Sequence, residues 1–368
     1  MRKRLHTLLI FIILLSYPAW AFPGGVLADQ KASAETVKLF EKMLSFSSRG
    51  IMIGHQDDLA YGIGWKYPDG QSDVFRVTGD YPALFGWDLG HLEIDSEYNL
   101  DSVSFSDMRK FAKTVHELGG INQYSWHCNN PLTGGSSWDT SNPATVKSIL
   151  PGGEKHLYYI SWLDKVAEFL LSLRDNEERP IPVLFRPFHE LGGDWFWWGQ
   201  AYCSSDEFKE LYRFTIDYLL KSKGVHNIIV VYSNADTFNS CESFLDRYPG
   251  DNYVDIIGFD IYQSSKTSND AFSEGLRKQL SILKKASLST GKLPAITEMG
   301  YEQIPYPRWW TEVLWPVLRE YRLSYVLFWR NAANRPNHYY VPYPGHSSEQ
   351  DFLEFYRLQE TLFSKNLK

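Results

Sequence analysis

The sequence predicts an α/β protein that folds as a single-domain (β/α)8 TIM barrel. The chain has 368 residues, which is within the size range of one such barrel. Eight short apolar runs have the composition of strands that are covered on both faces, and helical patterns separate most of them. A doubly wound sheet is the alternative fold. It is disfavoured because the segment after the first run, "MIGHQDD", holds no glycine-rich phosphate loop.

The predicted elements alternate along the chain. Strands are expected at 50–55, 83–88, 120–126, 181–188, 227–233, 254–262, 294–298 and 324–329. Amphipathic periodicity predicts helices at 105–118, 160–173, 206–221, 269–288, 309–321 and 349–363. The connection 57–80 is the weakest part of the pattern, because only a short helix fits there.

The first residues are typical of a secretory signal peptide. A basic segment at 2–4 precedes an apolar segment at 8–15, and Pro18 and an Ala-Trp-Ala cleavage site at 19–21 follow. The apolar segment is short for a membrane span, so a retained anchor helix is the minor alternative. We therefore expect an exported protein, periplasmic or secreted, with no membrane association after signal removal. The predicted division of the chain is a signal peptide at 1–21, a short extension at 22–30 and one barrel domain at 31–368.

Composition limits the partners. The net charge of −7 disfavours nucleic acid and anionic membranes. Aromatic residues make up 16% of the chain, and flat rings suit the apolar faces of sugars as well as protein cores. Of the three cysteines, Cys203 and Cys241 could pair in an exported protein, or all three, with Cys128, could stay unpaired. We expect a monomer without a further binding module.

Polar and aromatic residues follow the predicted strands, which places them at one mouth of the barrel. In such barrels the chemistry lies at the carboxyl ends of the strands. The residues in these positions are His55, Asp88, His127, His189, Glu190, Asn234, Tyr262, Glu298, Trp329 and Arg330.

Two of these residues, Glu190 and Glu298, predict hydrolysis of a glycosidic bond with retention. That chemistry needs two carboxyl groups about 5–5.5 Å apart, one protonated and one ionised. Glu190 lies next to the tryptophan-rich segment "GGDWFWWG", which suits a raised pKa, and Glu298 is expected within reach of Tyr262 and Arg330. A zinc helix starting at "HEL" is rejected because the next ligand positions hold Gly193 and Asp194. We expect no metal and no cofactor.

The tryptophans divide into two groups. Trp162, Trp309 and Trp310 lie on helical patterns and are expected in the core. Those at or beyond strand ends are expected to line a cleft, with about half of them touching sugar; they are Trp126, Trp138, Trp195, Trp197, Trp198 and Trp329.

The order of "RPFHE", "GGDWFWWG", "GFDIYQ", "ITEMG" and "FWRNA" resembles glycoside hydrolase family 26, within the clan of retaining (β/α)8 glycosidases. The resemblance covers nearly all of the chain after the signal peptide. Histidine before the acid/base glutamate, here His189, is its specific part, since most of the clan has asparagine there.

The resemblance implies a role for each matching residue. Glu190 would be the acid/base and Glu298 the nucleophile, which Tyr262 would hold by a hydrogen bond. His127 would contact the sugar in the cleaved subsite, and His189 would either orient the groups around the nucleophile or contact the 2-hydroxyl of the sugar. Trp195 and Trp329 would pack against sugar rings on either side of the cut. Arg330 would bind a more distal sugar, and Asp255 and Asp260 would support the site.

The resemblance also implies β-1,4-mannan, galactomannan or manno-oligosaccharides as substrate, since the family is dominated by β-mannanases. Mixed-linkage β-glucan and β-1,3-xylan are the alternative substrates. An alternative function is that of a β-glycan-binding protein without catalysis. The sequence leaves open whether cleavage is endo or exo with release of mannobiose.

Overall fold

The computed structural model describes residues 25–368. The predicted signal peptide, 1–21, lies outside these residues. Eight parallel strands form the barrel, and the pairing of the first strand with both the second and the last closes it. The strands are β1 (Ile51–Gln56), β2 (Leu84–Asp88), β3 (Ile121–Trp126), β4 (Val183–Pro187), β5 (Ile228–Ala235), β6 (Ile256–Gln263), β7 (Leu293–Tyr301) and β8 (Tyr325–Phe328). The predicted barrel is confirmed.

Helices surround the barrel and connect its strands. They are α1 (Ala34–Ser47), α2 (Asp73–Thr78), α3 (Phe105–Glu117), α4 (Thr145–Ile149), α5 (His156–Leu171), α6 (Ser205–Asp217), α7 (Cys241–Leu245), α8 (Asn269–Thr290), α9 (Trp315–Leu318) and α10 (Glu349–Tyr356). The first of these, α1, was not predicted. Its Phe40 and Met43 pack with Met52 of β1 and with residues of other strands in one apolar cluster.

Three predicted helices differ from the observed ones. The segment predicted at 309–321 begins as a π-helix, Trp309–Leu314, before α9. Pro316 has no N–H to donate into the preceding turn, which gives a reason for the break. The helix predicted at 349–363 ends at Tyr356. Thr361–Leu362, further along the predicted segment, form a short strand that pairs with β1. The segment predicted at 206–221 ends as a π-helix, Tyr218–Ser222.

The first connection, 57–80, contains more than the expected short helix. A small hairpin, Tyr61–Gly62 with Trp65–Lys66, precedes α2. Asp73 of α2 accepts hydrogen bonds from the Ile63 N–H and from the indole of Trp65, which ties the hairpin to the helix. This connection therefore forms an ordered part of the rim around the barrel mouth.

A β-bulge interrupts the pairing of β6 with β7. Phe259 lies opposite Ile296, but the next residue, Asp260, lies opposite Glu298, so Thr297 is the extra residue. The hydroxyl of Thr297 donates to Asp260 Oδ1 at 2.7 Å. An extra residue breaks the alternation of side chains between the two faces. The bulge therefore allows both Thr297 and Glu298 to face the barrel interior.

The structure also bears on the possible disulfide between Cys203 and Cys241 and on membrane-spanning helices. Cys128, Cys203 and Cys241 are all free thiols, so Cys203 and Cys241 are not joined. Within residues 25–368, no helix has the length and apolar character needed to cross a membrane.

Candidate active site

Glu190 sits in a sharp turn that follows β4. Phe188 and Glu190 both have positive φ, 51° and 53°, which is strained backbone for residues with large side chains. The N–H of Gly193 closes the turn by donating to the Glu190 carbonyl at 2.8 Å. A Cβ on Gly193 would lie 2.5 Å from the ring of Trp195. Glycine there allows the indole to fold back and donate its N–H to Glu190 Oε2.

Glu298 lies on β7 at the bulge, and its two oxygens have different donors. The hydroxyl of Tyr262 donates to Oε1, and Arg186 donates from Nη2 to Oε2 at 2.6 Å. Arg186 also donates from Nη1 to Asp260 Oδ2 at 2.6 Å. One fully buried cation on β4 is thus shared by two buried carboxylates. Charged hydrogen bonds of this kind fix the orientation of the Glu298 carboxylate.

Three carboxylates meet at the centre of the mouth. One oxygen from each of Glu190, Asp260 and Glu298 lies within 4.8 Å of the others. This proximity of Glu190 and Glu298 favours a pair that acts on one sugar carbon with retention. The cluster is also dense enough to attract a cation, but Arg186 already supplies positive charge to Asp260 and Glu298.

The two glutamates differ in proton affinity. Burial, followed by the charges of Asp260 and Glu298, raises the pKa of Glu190 to about 8. Burial and Asp260 raise the pKa of Glu298 to about 7, with Arg186 and Tyr262 acting in the opposite direction. Because the two carboxyl groups interact, their apparent pKa values belong to the pair and not to either residue alone. Glu298 has two donors that favour its ionised form, Arg186 and Tyr262, whereas Glu190 has the indole of Trp195.

Two histidines line the next part of the site. His127 Nδ1 lies 2.7 Å from Asp88 Oδ2, and its Nε2 lies 3.1 Å from His189 Nε2. Burial lowers the pKa of His127, but the charge and hydrogen bond of Asp88 outweigh it and raise the pKa. Burial, with His127 and Arg186, lowers the pKa of His189. A protonated His127 can therefore donate to a neutral His189, whose Nδ1 has no partner among the described residues.

Of the six tryptophans expected to line a cleft, three are buried and three are not. Trp126, Trp197 and Trp198 are buried, and each indole N–H donates to the protein. Trp138 is exposed, and Trp195 and Trp329 are half-buried. Trp138 is 50% exposed and stacks on His127 with ring centroids 5.1 Å apart. Three rings are thus available to contact a flat apolar surface at the mouth.

Asp255 was wrongly placed in this site. It precedes β6, so it lies at the opposite end of the barrel from Glu298. Its carboxylate accepts from the N–H groups of Ala28 and Val230, both at 2.7 Å. Asp255 therefore fixes the start of the described chain to the barrel rather than supporting the mouth.

Arg330 does lie at the mouth, but it is not the cation beside Glu298. It forms an ion pair with Asp101 at 2.8 Å and donates to the Tyr61 hydroxyl at 3.1 Å. The cation that contacts Glu298 is Arg186, which is not among the residues predicted at the mouth. An arginine inside the apolar strand "VLFRP" was the available signal, because a buried arginine requires anionic partners.

Comparison with known proteins identifies the family. The profile of glycosyl hydrolase family 26 matches residues 28–318, which is most of the chain. The chain belongs to this family. All three carboxylates of the cluster lie within the matched residues.

Relatives in this family include enzymes with solved structures. A GH26 beta-mannanase of Bacteroides ovatus is 45% identical with a TM-score of 0.88, and the match covers 90% of this chain and 96% of that one. An endo-beta-1,4-mannanase of Cellulomonas fimi is 35% identical with a TM-score of 0.84, over 94% of this chain and 78% of that one. The match therefore covers nearly all of the Bacteroides ovatus chain and about four fifths of the Cellulomonas fimi chain.

A curated relative is much longer than this chain. A mannan endo-1,4-beta-mannosidase of Bifidobacterium adolescentis is 34% identical over 281 residues, 74% of this chain. The match spans only 28% of the length of that protein.

Proposed function

We propose that this family 26 protein hydrolyses β-1,4-mannan, or oligosaccharides derived from it, with retention of anomeric configuration. The observation that carries the proposal is the pair Glu190 and Glu298, which bring one oxygen each within 4.8 Å of the other and have different hydrogen-bond donors. The relatives named as mannanases support mannan as the substrate class over β-glucan and β-1,3-xylan.

In this mechanism Glu298 attacks the anomeric carbon. Arg186 and Tyr262 hold its carboxylate, so little reorganisation is needed before attack. Glu190 donates its proton to the departing oxygen, and its carboxylate then accepts a proton from the incoming water. Trp195 stabilises that carboxylate through its indole N–H.

The sugar chain would lie across the three tryptophans that are not fully buried, Trp138, Trp195 and Trp329. Trp195 is on the side of Glu190 and therefore suits the departing sugar, whereas Trp329 follows β8 and suits the retained one. His127 and His189 have polar atoms near the cleaved sugar, and Trp138 would cover its face. Arg330, which follows Trp329 at the mouth and is held by Asp101, would contact a more distal sugar.

Retention is expected to be visible in the first product. Mannopentaose cleaved in D2O should release a reducing end that is initially the β-anomer and then mutarotates. Proton NMR during the first minutes measures this directly, with linear mannan, barley β-glucan and β-1,3-xylan assayed in parallel. An initial α-anomer would rule out the two-glutamate mechanism. Turnover of β-glucan or β-1,3-xylan without turnover of mannan would overturn the substrate assignment.

The Trp195→Phe variant is expected to move the alkaline limb of the kcat/KM profile to higher pH. In the parent, activity should rise as Glu298 ionises at about pH 7 and fall as Glu190 loses its proton at about pH 8. The indole stabilises ionised Glu190, so its removal raises the pKa of that carboxyl group. Full pH profiles of parent and variant provide the measurement.

Trp138→Phe is the matched control for this shift. Trp138 also lies at the mouth, but it packs on His127 and Phe196 instead of Glu190. Its substitution should lower kcat/KM without moving the alkaline limb. An alkaline limb of Trp195→Phe that stayed in place, or moved to lower pH, would show that Glu190 is not the acid.

The proposal extends to the location and state of the protein. A chain with a signal peptide at 1–21 would act on mannan after export, to the periplasm or beyond the cell, as a monomer. Detection of the protein in fractionated cells, with and without residues 1–21, tests the location.

A further inference from the structure

Tyr340 lies on the segment that follows β8 and folds back over the mouth. Asn331 holds this segment, because its Oδ1 accepts from the N–H groups of Tyr340 and Val341 at 2.9 and 3.1 Å. The Tyr340 ring packs edge-to-face on Tyr262, with centroids 5.6 Å apart. A Cβ on Gly300 would lie 2.2 Å from this ring, so the ring rests directly on the β7 backbone. Its position is therefore fixed by packing.

The hydroxyl of Tyr340, by contrast, has no hydrogen-bond partner in the part of the chain that the structure describes. The side chain is only 8% exposed, so the surrounding residues cover the ring without giving the hydroxyl a hydrogen bond. Burial and the charges of Glu302 and Glu298 raise the pKa of Tyr340, and Arg330 opposes them. The ring that carries this hydroxyl packs on Tyr262, and the hydroxyl of Tyr262 donates to Glu298, so Tyr340 lies beside the residues that hold Glu298.

The position of Tyr340 relative to Glu298 indicates which sugar it would meet. Glu190 and Trp195 follow β4, and the departing sugar leaves on their side. Tyr340 packs on β7 and follows β8, which lies across the barrel from β4. A sugar bound on the side of β7 and β8 would therefore lie beside Tyr340.

We propose that the Tyr340 hydroxyl hydrogen-bonds a sugar hydroxyl on the retained side of the cleaved bond, between Glu298 and Arg330. This inference rests on the proposed function. A phenol can both donate and accept, which suits a sugar hydroxyl. Because packing already fixes the ring, forming the bond orders few additional groups.

Tyr340→Phe tests this contact, since it removes the hydroxyl and keeps the ring. We expect kcat/KM to fall about tenfold, as for the loss of one hydrogen bond to bound substrate. The loss should be similar for mannopentaose and for dinitrophenyl β-mannobioside, which has no sugar on the departing side. The melting temperature and the acid limb of the pH profile should not change, because Tyr262 keeps its aromatic neighbour.

Tyr343→Phe is the control, since Tyr343 lies on the same segment but packs on Tyr339 and His346. It should leave both substrates unaffected. Unchanged kcat/KM for Tyr340→Phe, or a loss confined to mannopentaose, overturns the inference. So does a shifted acid limb, which would mean that Tyr340 acts through Tyr262.

The same comparison separates this inference from the proposed function. If the parent cleaves a different β-glycan, the variant is measured on oligosaccharides of that glycan, and only the mannan assignment is lost. If the parent and the Tyr340→Phe variant cleave the substrate equally well, only the Tyr340 contact is overturned. A parent without β-glycan turnover overturns both.

Discussion

Glu298→Ala is expected to reduce turnover of mannopentaose by roughly 10⁴-fold or more, because it removes the group that would attack the anomeric carbon. Sodium azide should restore part of the activity on dinitrophenyl β-mannobioside. The small anion would occupy the space of the missing carboxylate and attack from the same face as Glu298. The expected product is the α-azide, whose configuration is opposite to that of the substrate. Kinetics with NMR of the azide adduct provide the measurement.

Glu302→Gln is the matched control for this substitution. Glu302 lies just beyond β7, but it is partly exposed and its carboxylate contacts His338 instead of Arg186. It should retain most of the parent activity. Folding of Glu298→Ala must be checked by its melting temperature, since the substitution leaves Arg186 with Asp260 as its remaining anionic partner. A well-folded Glu298→Ala that cleaves mannopentaose as fast as the parent would refute the mechanism.

Glu190→Ala is expected to affect substrates according to their leaving groups. Turnover of mannopentaose should fall about 10³-fold, within the range for loss of a general acid. Dinitrophenolate needs no protonation to depart, so the first step on dinitrophenyl β-mannobioside should stay fast while the second becomes slow. A burst of dinitrophenolate followed by slow steady-state release is the expected trace, measured by stopped-flow absorbance.

Azide also distinguishes Glu190 from Glu298. In Glu190→Ala it should attack the sugar attached to Glu298 from the opposite face, and so give the β-azide. The two variants therefore yield opposite anomers from one substrate. Asp194→Asn is the control, because Asp194 belongs to the same turn but is exposed. An equal loss on both substrates without a burst, or an α-azide from Glu190→Ala, would assign Glu190 a different role.

The sequence predicted the barrel and its two glutamates because both depend on local patterns. Strands covered on both faces appear as continuous apolar runs, and chain direction places the residues after each run at one mouth. Asp255 lies at the beginning of the predicted strand 254–262, so chain direction places it at the opposite end of the barrel from the mouth. Trp197 and Trp198 were harder to place, because a large ring beside a cleft has the same sequence signature whether it faces the cleft or the core.

Other features depend on contacts between distant segments. The bulge at Thr297 arises from the pairing of β7 with β6, and nothing in "ITEMG" alone indicates an extra residue. The link from Asn331 to Tyr340 joins two ends of one irregular segment. Arg186 was detectable as a buried arginine, but the pairing with both Asp260 and Glu298 required the geometry.

The sharing of Arg186 between Asp260 and Glu298 has a consequence for the electrical balance of the reaction. Under the proposed mechanism, the resting site contains the cation Arg186 and two anions, with Glu190 neutral. When Glu298 becomes an ester it loses its charge, and Glu190, having given up its proton, gains one. The net charge at the bottom of the cleft is then the same before each half of the reaction. Arg186 keeps Asp260 as its counterion throughout, so the buried cation is never left uncompensated.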